Sequence, residues 1–241
     1  MALTMAVVID YQNVHLTGAS LFLPGRPYEE GLIDPYRFAC QLALARNAKV
    51  DDAGRHASVE RVEVFRGLPI PEDDPDAYRR NQAQKSQWER GHHGVVDVTL
   101  RPLKYTWEYR DGVKTPVRSS RREKGVDVLC ALALVDLARS GHYDVVVLAS
   151  RDTDLAPALD AAARIGRSKV EAAKWFDPAS SWTMGRIRTE KRIRGASCQG
   201  AREIFSVPHV GMPAKRVGCR EAFLTRMLWW TSGRALGIWA A

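Results

Sequence analysis

The stretch Tyr143 to Leu155, YDVVVLASRDTDL, decides how the chain is read. Val145 to Ala149 is an unbroken apolar run with the length and β-branched content of a strand buried on both faces, and it stops at Ser150-Arg151-Asp152-Thr153-Asp154. Two carboxylates therefore stand where a strand ends. Leu155 to Ile165 follows with alanine and leucine at helical spacing, so Asp152 or Thr153 is the expected N-cap. As caps alone, these acids carry no chemistry. In open α/β sheets, however, ligands bind outside the carboxyl ends of strands, so other acids must be sought at this edge.

The N-terminus supplies one. Ala6 to Ile9 is a short apolar run that ends at Asp10, followed by Tyr-Gln-Asn13-Val-His15, which reads as a polar turn. Thr17 to Pro35 is rich in Gly and Pro and reads as a long surface loop. Tyr36–Arg46 has helical spacing, Ser58–Leu68 reads as a strand closed by Pro69 and Pro71, and Asp74–Arg90 as a polar helix. Val95–Leu100 is a further strand. Arg110-Asp-Gly112 then suits the turn of a hairpin extending from the sheet.

The third acid comes after a basic run. Arg118-Ser-Ser-Arg121-Arg122-Glu123-Lys124 leads through Gly125 to Asp127, and Val126 to Ala138 is apolar apart from Asp127 and Asp136, so a buried helix is expected. Nine residues at about 100° each put those two acids about 180° apart, so they cannot share a site. Asp127 lies in the first turn, toward the sheet edge; Asp136 is expected to pair with Arg139 or face solvent. Lys169–Trp175 is a fifth strand. Beyond Gly195 no element can be read.

Strands alternating with helices imply a mainly parallel central sheet covered on both faces. In that architecture Asp10, Asp127, Asp152 and Asp154 converge. Carboxylates side by side raise one another's pKa, and a divalent cation is the simplest compensation. All-oxygen ligation suits Mg²⁺ or Mn²⁺, and a pair of such ions about 3.5–4 Å apart can activate a water and stabilise the leaving oxygen at phosphorus. Asn13 is placed to hydrogen-bond a metal-bound water or a phosphate, or else to close an Asx turn.

Charge and cysteines bound the rest. The chain of 241 residues carries a formal charge of +8. Nine Lys/Arg between Gly185 and Arg220, Arg186, Arg188, Arg192 and Arg194 among them, against Glu190 and Glu203 give +7 there and leave +1 elsewhere. That segment suits a polyanion or a solvated face. Cys40, Cys130, Cys198 and Cys219 show no CxxC or Cys/His pairing, which argues against zinc or a secreted disulfide framework and makes the cytoplasm the expected compartment. Asp10 interrupts the first apolar run, so no signal peptide is expected. Phe223–Ala241 holds three tryptophans but is interrupted by Arg226 and Arg234, which suits a docked or partner-binding helix and not a membrane span. No phosphate-cradling Gly-rich loop is present. A haloacid-dehalogenase-like phosphatase is discounted because Gln12 stands where its second acid belongs.

Three motifs in order, Val-Val-Ile-Asp10-Tyr-Gln-Asn13-Val, Glu123-Lys124-Gly-Val-Asp127-Val and Leu-Ala-Ser150-Arg-Asp152-Thr-Asp154-Leu, resemble the NYN domain family of the PIN-like nuclease superfamily. The resemblance spans about residues 1–175 and extends toward 194, leaving 195–241 as a C-terminal extension of uncertain structure. It implies a PIN-like three-layer α/β/α sandwich and a metal-dependent ribonuclease. Its active-site places fall on Asp10, Asn13, Asp127, Asp152 and Asp154, the four acids holding the metal. The family's Ser-Gly-Asp is here Ser150-Arg151-Asp152, and Arg151 is a candidate phosphate contact. RNA is the expected partner, guided by Arg121, Arg122, Lys124 and the C-terminal arginines, with a homodimer or a regulatory protein as further candidates. The alternative is a non-catalytic RNA-binding module of the same fold.

Overall fold

The structure, a computed structural model, describes residues 2–92, 94–176, 187, 189 and 194–199, with no account of the side chains in the last of these segments. Its centre is a six-stranded sheet. The strands are β1 (Leu3–Asp10), β2 (Ala57–Leu68), β3 (Val96–Pro102), β6 (Val145–Ala149), β7 (Lys169–Phe176) and β8 (Arg194–Gln199), in the order β3-β2-β1-β6-β7-β8. Every pairing within it is parallel. The hairpin expected around Gly112 forms a separate antiparallel pair, β4 (Trp107–Arg110) and β5 (Val113–Pro116). Its turn has positive φ at both Asp111 and Gly112, the backbone that fits the twist of two-residue hairpins.

Parallel strands buried on both faces need near-continuous apolar sequence, and β1 and β6 have it. Val145 to Ala149 are all buried, as are Met5 to Ile9. Alternation then divides them. Ala6, Val8, Val146 and Leu148 join a core with Val126, Cys130, Leu134 and Ala138 of α4 (Val126–Ser140) and Leu159 and Ala162 of α5 (Ala156–Ile165). The opposite face is covered by α1 (Tyr11–Phe22), α2 (Pro35–Asn47) and α3 (Pro75–Gly91). Tyr11 packs on Trp88 at 5.1 Å between ring centroids, and Phe38 on Trp175 at 5.1 Å. The result is the expected three-layer α/β/α sandwich with a parallel sheet. Each fully buried Val, Leu or Ile stabilises it by about 1.5–3 kcal/mol.

One buried charge pair ties a helix to the sheet. Arg46 of α2 places Nε 3.3 Å from the Glu171 carboxylate of β7, with both side chains almost wholly enclosed. Lys169 Nζ lies 3.2 Å from the same carboxylate, so it is removal of Glu171 that would strand the buried Arg46 charge, at a cost of about 3–5 kcal/mol.

Several expectations are corrected. α1 begins at Tyr11 and runs to Phe22, where a polar turn and a loop were expected. Asp10 starts it as N-cap, accepting from the Asn13 N–H at 3.3 Å. The helix α4 is not buried all round: Val128 and Leu132 are 54% and 58% exposed, because only one face meets the sheet. Asp136 does face solvent, one of the two outcomes expected for it. β8 was not foreseen at all. Cys40 is disulfide-bonded, where the cysteine spacing indicated no secreted disulfide framework; buried Cys130 is free. Among the described residues no helix is long and apolar enough to cross a membrane. The side chains of Arg186, Arg188, Arg192 and Arg194, and the stretch from residue 200 to 241, lie outside what is described.

Candidate active site at the sheet switch point

The strand order reverses direction between β1 and β6, since β2 and β3 lie to one side and β7 and β8 to the other. At such a switch point the loops leaving neighbouring strands run to opposite faces, and the gap between them is a binding crevice. Asp10 ends β1 and Ser150 follows β6, so the register that pairs Ile9 with Ala149 sets them side by side.

Asp10 is only 7% exposed, and its bonds span the switch point. The Ser150 hydroxyl donates to Asp10 Oδ2 at 2.9 Å and accepts from the Asp152 N–H at 3.0 Å. Asn13 Oδ1 accepts from the Arg151 N–H at 2.9 Å. The start of α1 is thus stitched to the loop after β6 by two side chains. Asp152 in turn caps the following turn, accepting from the Asp154 N–H at 2.9 Å.

Burial pushes the Asp10 carboxyl above its ordinary range. The hydrogen bonds from Ser150 and Asn13 pull it down and the charges of Asp152 and Asp127 push it up, leaving a net rise. Burial likewise raises Glu123, with Asp10 and Asp127 adding to it and the Gly67 N–H and Arg66 opposing. Cys130, beneath them on α4, has its thiol pushed up by burial and then by Asp10, Glu123 and Asp127. Asp127 and Asp152 thus lie near enough to Asp10 to act on its charge. Asp154 is exposed and is not among the charges that shift Asp10.

Sequence reading passed over Glu123, which it quoted within a motif without giving it a role. Its Oε1 accepts from the Gly67 N–H at 2.6 Å, across from the end of β2. A Cβ at Gly67 would lie 2.4 Å from that oxygen and 2.5 Å from Leu103 Cδ2, so only glycine permits the approach. The missed signal was Gly67 itself, a glycine inside an apolar strand pattern, which marks close approach of another group.

The cations flank the acids. Arg118 and Arg121 lie 2.9 and 3.9 Å from the buried carboxylate of Asp73. Arg122 and Lys124 are exposed and form no ion pair among the described residues; the Lys124 carbonyl accepts from Arg101 Nε at 2.6 Å. Arg151 reaches Thr17 Oγ1 at 3.5 Å, beside a small pocket lined also by Asn13, Ser150, Lys174 and Trp175. Among the described residues no three His, Cys, Asp or Glu side chains form a ready-made cage for a single ion.

The NYN domain model matches residues 4–173, most of the chain and all of the strand-end acids. The chain belongs to the NYN domain family. That places it among nuclease-like proteins of the PIN fold, generally hydrolases. Among curated proteins no relative is detected. A crystal structure of a protein of unknown function from Vibrio parahaemolyticus RIMD 2210633 is similar at 18% identity and a TM-score of 0.38, over 71% of this chain and 80% of that one. Within the NYN domain, the matched span ends inside β7, so β8 extends the sheet beyond it.

Proposed function

We propose that this NYN domain hydrolyses RNA phosphodiester bonds with Mg²⁺ or Mn²⁺ held at the β1/β6 switch point. The observation that carries the reading is Asp10: a carboxylate buried at a strand end, made less acidic by its burial and by Asp152 and Asp127. Perturbed acids in a crevice outside the carboxyl ends of parallel strands are a common mark of chemistry, and the family match spans all of them.

The donor set fits a hard divalent ion. It is all oxygen, and Mg²⁺ is ordinarily held by one or two carboxylates together with substrate phosphates, with no complete protein cage required. Asp10, Asp127 and Asp152 would hold it, with Glu123 at the margin and Asp154 at the exposed rim. The bound cation supplies charge to balance a phosphate in attack and lowers the pKa of water.

The chain's own groups do the rest. The Ser150 hydroxyl fixes the Asp10 rotamer, so the carboxylate meets its ligand already oriented. Asn13 spends its carbonyl on Arg151, which leaves its amide N–H groups to donate to a phosphate oxygen. Glu123, with its basicity raised, is suited to accept a proton from the attacking water. Arg151, Arg122 and Lys124 supply positive charge along the rim, where a backbone phosphate can be positioned.

The test is cleavage of single-stranded and structured RNA by purified protein with Mg²⁺ and with Mn²⁺, alongside the Asp152→Asn variant. Cleavage by wild type alone is expected. Intact RNA under both metals, or equal rates for Asp152→Asn, would leave the alternative, an RNA-binding module that has kept the fold.

A further inference from the structure

The β4–β5 hairpin belongs neither to the central sheet nor to the acid cluster, and it carries two exposed aromatic rings. In an antiparallel pair, residues directly opposite one another share a face. The register Trp107↔Pro116 and Tyr109↔Lys114 therefore puts Trp107, Tyr109, Lys114 and Pro116 on one side and Glu108, Arg110, Val113 and Thr115 on the other. Trp107 is 45% exposed and Tyr109 76%. Lys114 Nζ lies over the Trp107 ring, 5.3 Å from its centroid. Two large rings two residues apart thus share one face of the hairpin, Tyr109 mostly and Trp107 nearly half exposed, with the Lys114 ammonium over the Trp107 ring.

The stem, by contrast, is fixed. The Val117 N–H donates to the Thr106 carbonyl at 2.9 Å, the Thr106 N–H donates to Ser120 Oγ at 2.8 Å, and Lys104 and Arg122 exchange backbone bonds of 3.0 Å. Tyr105 Oη donates to Asp73 at 2.9 Å and Arg118 Nε to the same carboxylate at 2.9 Å. One residue past this stem is Glu123, seated on Gly67 at the active site. The arm is thus rigidly rooted at the rim of the acid cluster. From Leu103 to Lys124 it carries seven Lys/Arg against three Asp/Glu.

We propose that this hairpin is a stacking arm for single-stranded RNA, with bases lying on Trp107 and Tyr109 and backbone phosphates tracked by Lys114 and Lys104. Aromatic faces on a positively charged strand pair bind unpaired bases without regard to sequence, because every base has a π face. Bases within a duplex are already stacked and present only their edges. Arg118 and Arg121 are held by Asp73 and Arg110 by Glu108, which leaves the exposed Lys104, Lys114, Arg122 and Lys124 as the cations that favour a polyanion. The arm therefore selects unpaired RNA for the adjacent centre. The choice of RNA rests on the hydrolytic reading above, but binding is measured without cleavage, so each can fail alone.

The experiment is fluorescence anisotropy with the full chain in EDTA, using a fluorescein-labelled uridine 12-mer and an RNA duplex of the same length over a series of KCl concentrations. Trp107→Ala and Tyr109→Ala should each weaken 12-mer binding about tenfold, and Trp107→Phe should restore most of it. Their salt slopes should match wild type, whereas Lys114→Ala should flatten the slope by about 0.7. Duplex affinity should not move. Val113→Ala, uncharged and on the opposite face, should bind as wild type, which shows that an altered hairpin is not itself the cause. The inference is overturned if Trp107→Ala and Tyr109→Ala bind the 12-mer within twofold of wild type, or if duplex binding falls equally. It is also overturned if Trp107→Ala changes sedimentation while leaving the 12-mer affinity intact, since the face would then serve a protein contact.

Discussion

The strand-end crevice and the hairpin arm, which leads along the chain to Glu123 and Asp127, are built on opposite terms. In the crevice, Asp10 is buried, its oxygens are engaged by Ser150 and Asn13, and its charge is disfavoured by the acids around it. On the arm, Trp107, Tyr109 and Lys114 are exposed and face solvent together. A reactive centre needs charge held in place before substrate arrives, and the cost is paid in stability. A capture surface needs only accessible rings and cations, and it costs the fold little. The contrast implies that rate and affinity can be separated by mutation.

The sharpest way to break the comparison is Asp10→Asn. If the crevice does the chemistry and the arm the capture, RNA cleavage should fall on the order of a thousandfold. The affinity for a uridine 12-mer in EDTA should hold or improve, because one negative charge facing phosphate is gone. A variant that loses binding in step with rate would show the two regions to be one. Next in size is Gly67→Ala. The added methyl meets Glu123 Oε1 at 2.4 Å, so Glu123 must swing away and its N–H partner is left unpaired. Cleavage should drop tenfold or more, with a loss of about 1–3 kcal/mol in urea denaturation. Full activity in Gly67→Ala would remove Glu123 from the site.

What sequence could supply, and where it stopped, follows the same division. The strands β1 and β6 were legible because parallel strands buried on both faces leave an unbroken apolar run, and Asp10 and Asp152 because they end those runs. The sheet's parallel character followed from alternating elements. α1 was lost because Gly18 and the polar Gln12, Asn13 and His15 obscure a helix that Asp10 caps and tertiary packing completes, with Trp175 Nε1 donating to the Val14 carbonyl at 2.9 Å. α4 was read as buried since apolar content does not say which face meets the sheet. Glu123 was missed as a site residue: Gly67 signals that some group approaches the strand, but nothing local says that the group is a residue 56 positions away. β8 had no periodicity to announce it and is placed by pairing with β7.

A smaller effect is expected from Arg151→Ala. The backbone N–H that holds Asn13 is kept, so only the guanidinium beside Thr17 is lost. KM for RNA should rise about fivefold, the scale of one exposed ion pair, with kcat unchanged. A fall in kcat would instead put Arg151 at the reacting phosphate and move it from the capture side of the comparison to the chemical side.

The smallest effect tests whether the crevice really holds disfavoured charge. Asp10 and Glu123 both have carboxyls raised above their ordinary range, by burial first and by neighbouring acids second. In the folded protein they therefore keep protons that the unfolded chain has already released. Between the ordinary carboxylate range and their raised values the native state binds more protons, so stability falls as pH rises through that window. In EDTA, the wild-type protein should lose more thermal stability than Asp10→Asn as pH rises from about 4, the ordinary carboxylate range, to neutrality, read as the Tm of each. Saturating Mg²⁺ should return most of this at neutral pH and little at about pH 4, because protons and the cation compete for the same oxygens. Equal pH slopes for the two proteins would mean that burial at Asp10 is relieved by solvent. An equal Mg²⁺ effect at both pH values would place the cation somewhere other than among these carboxylates.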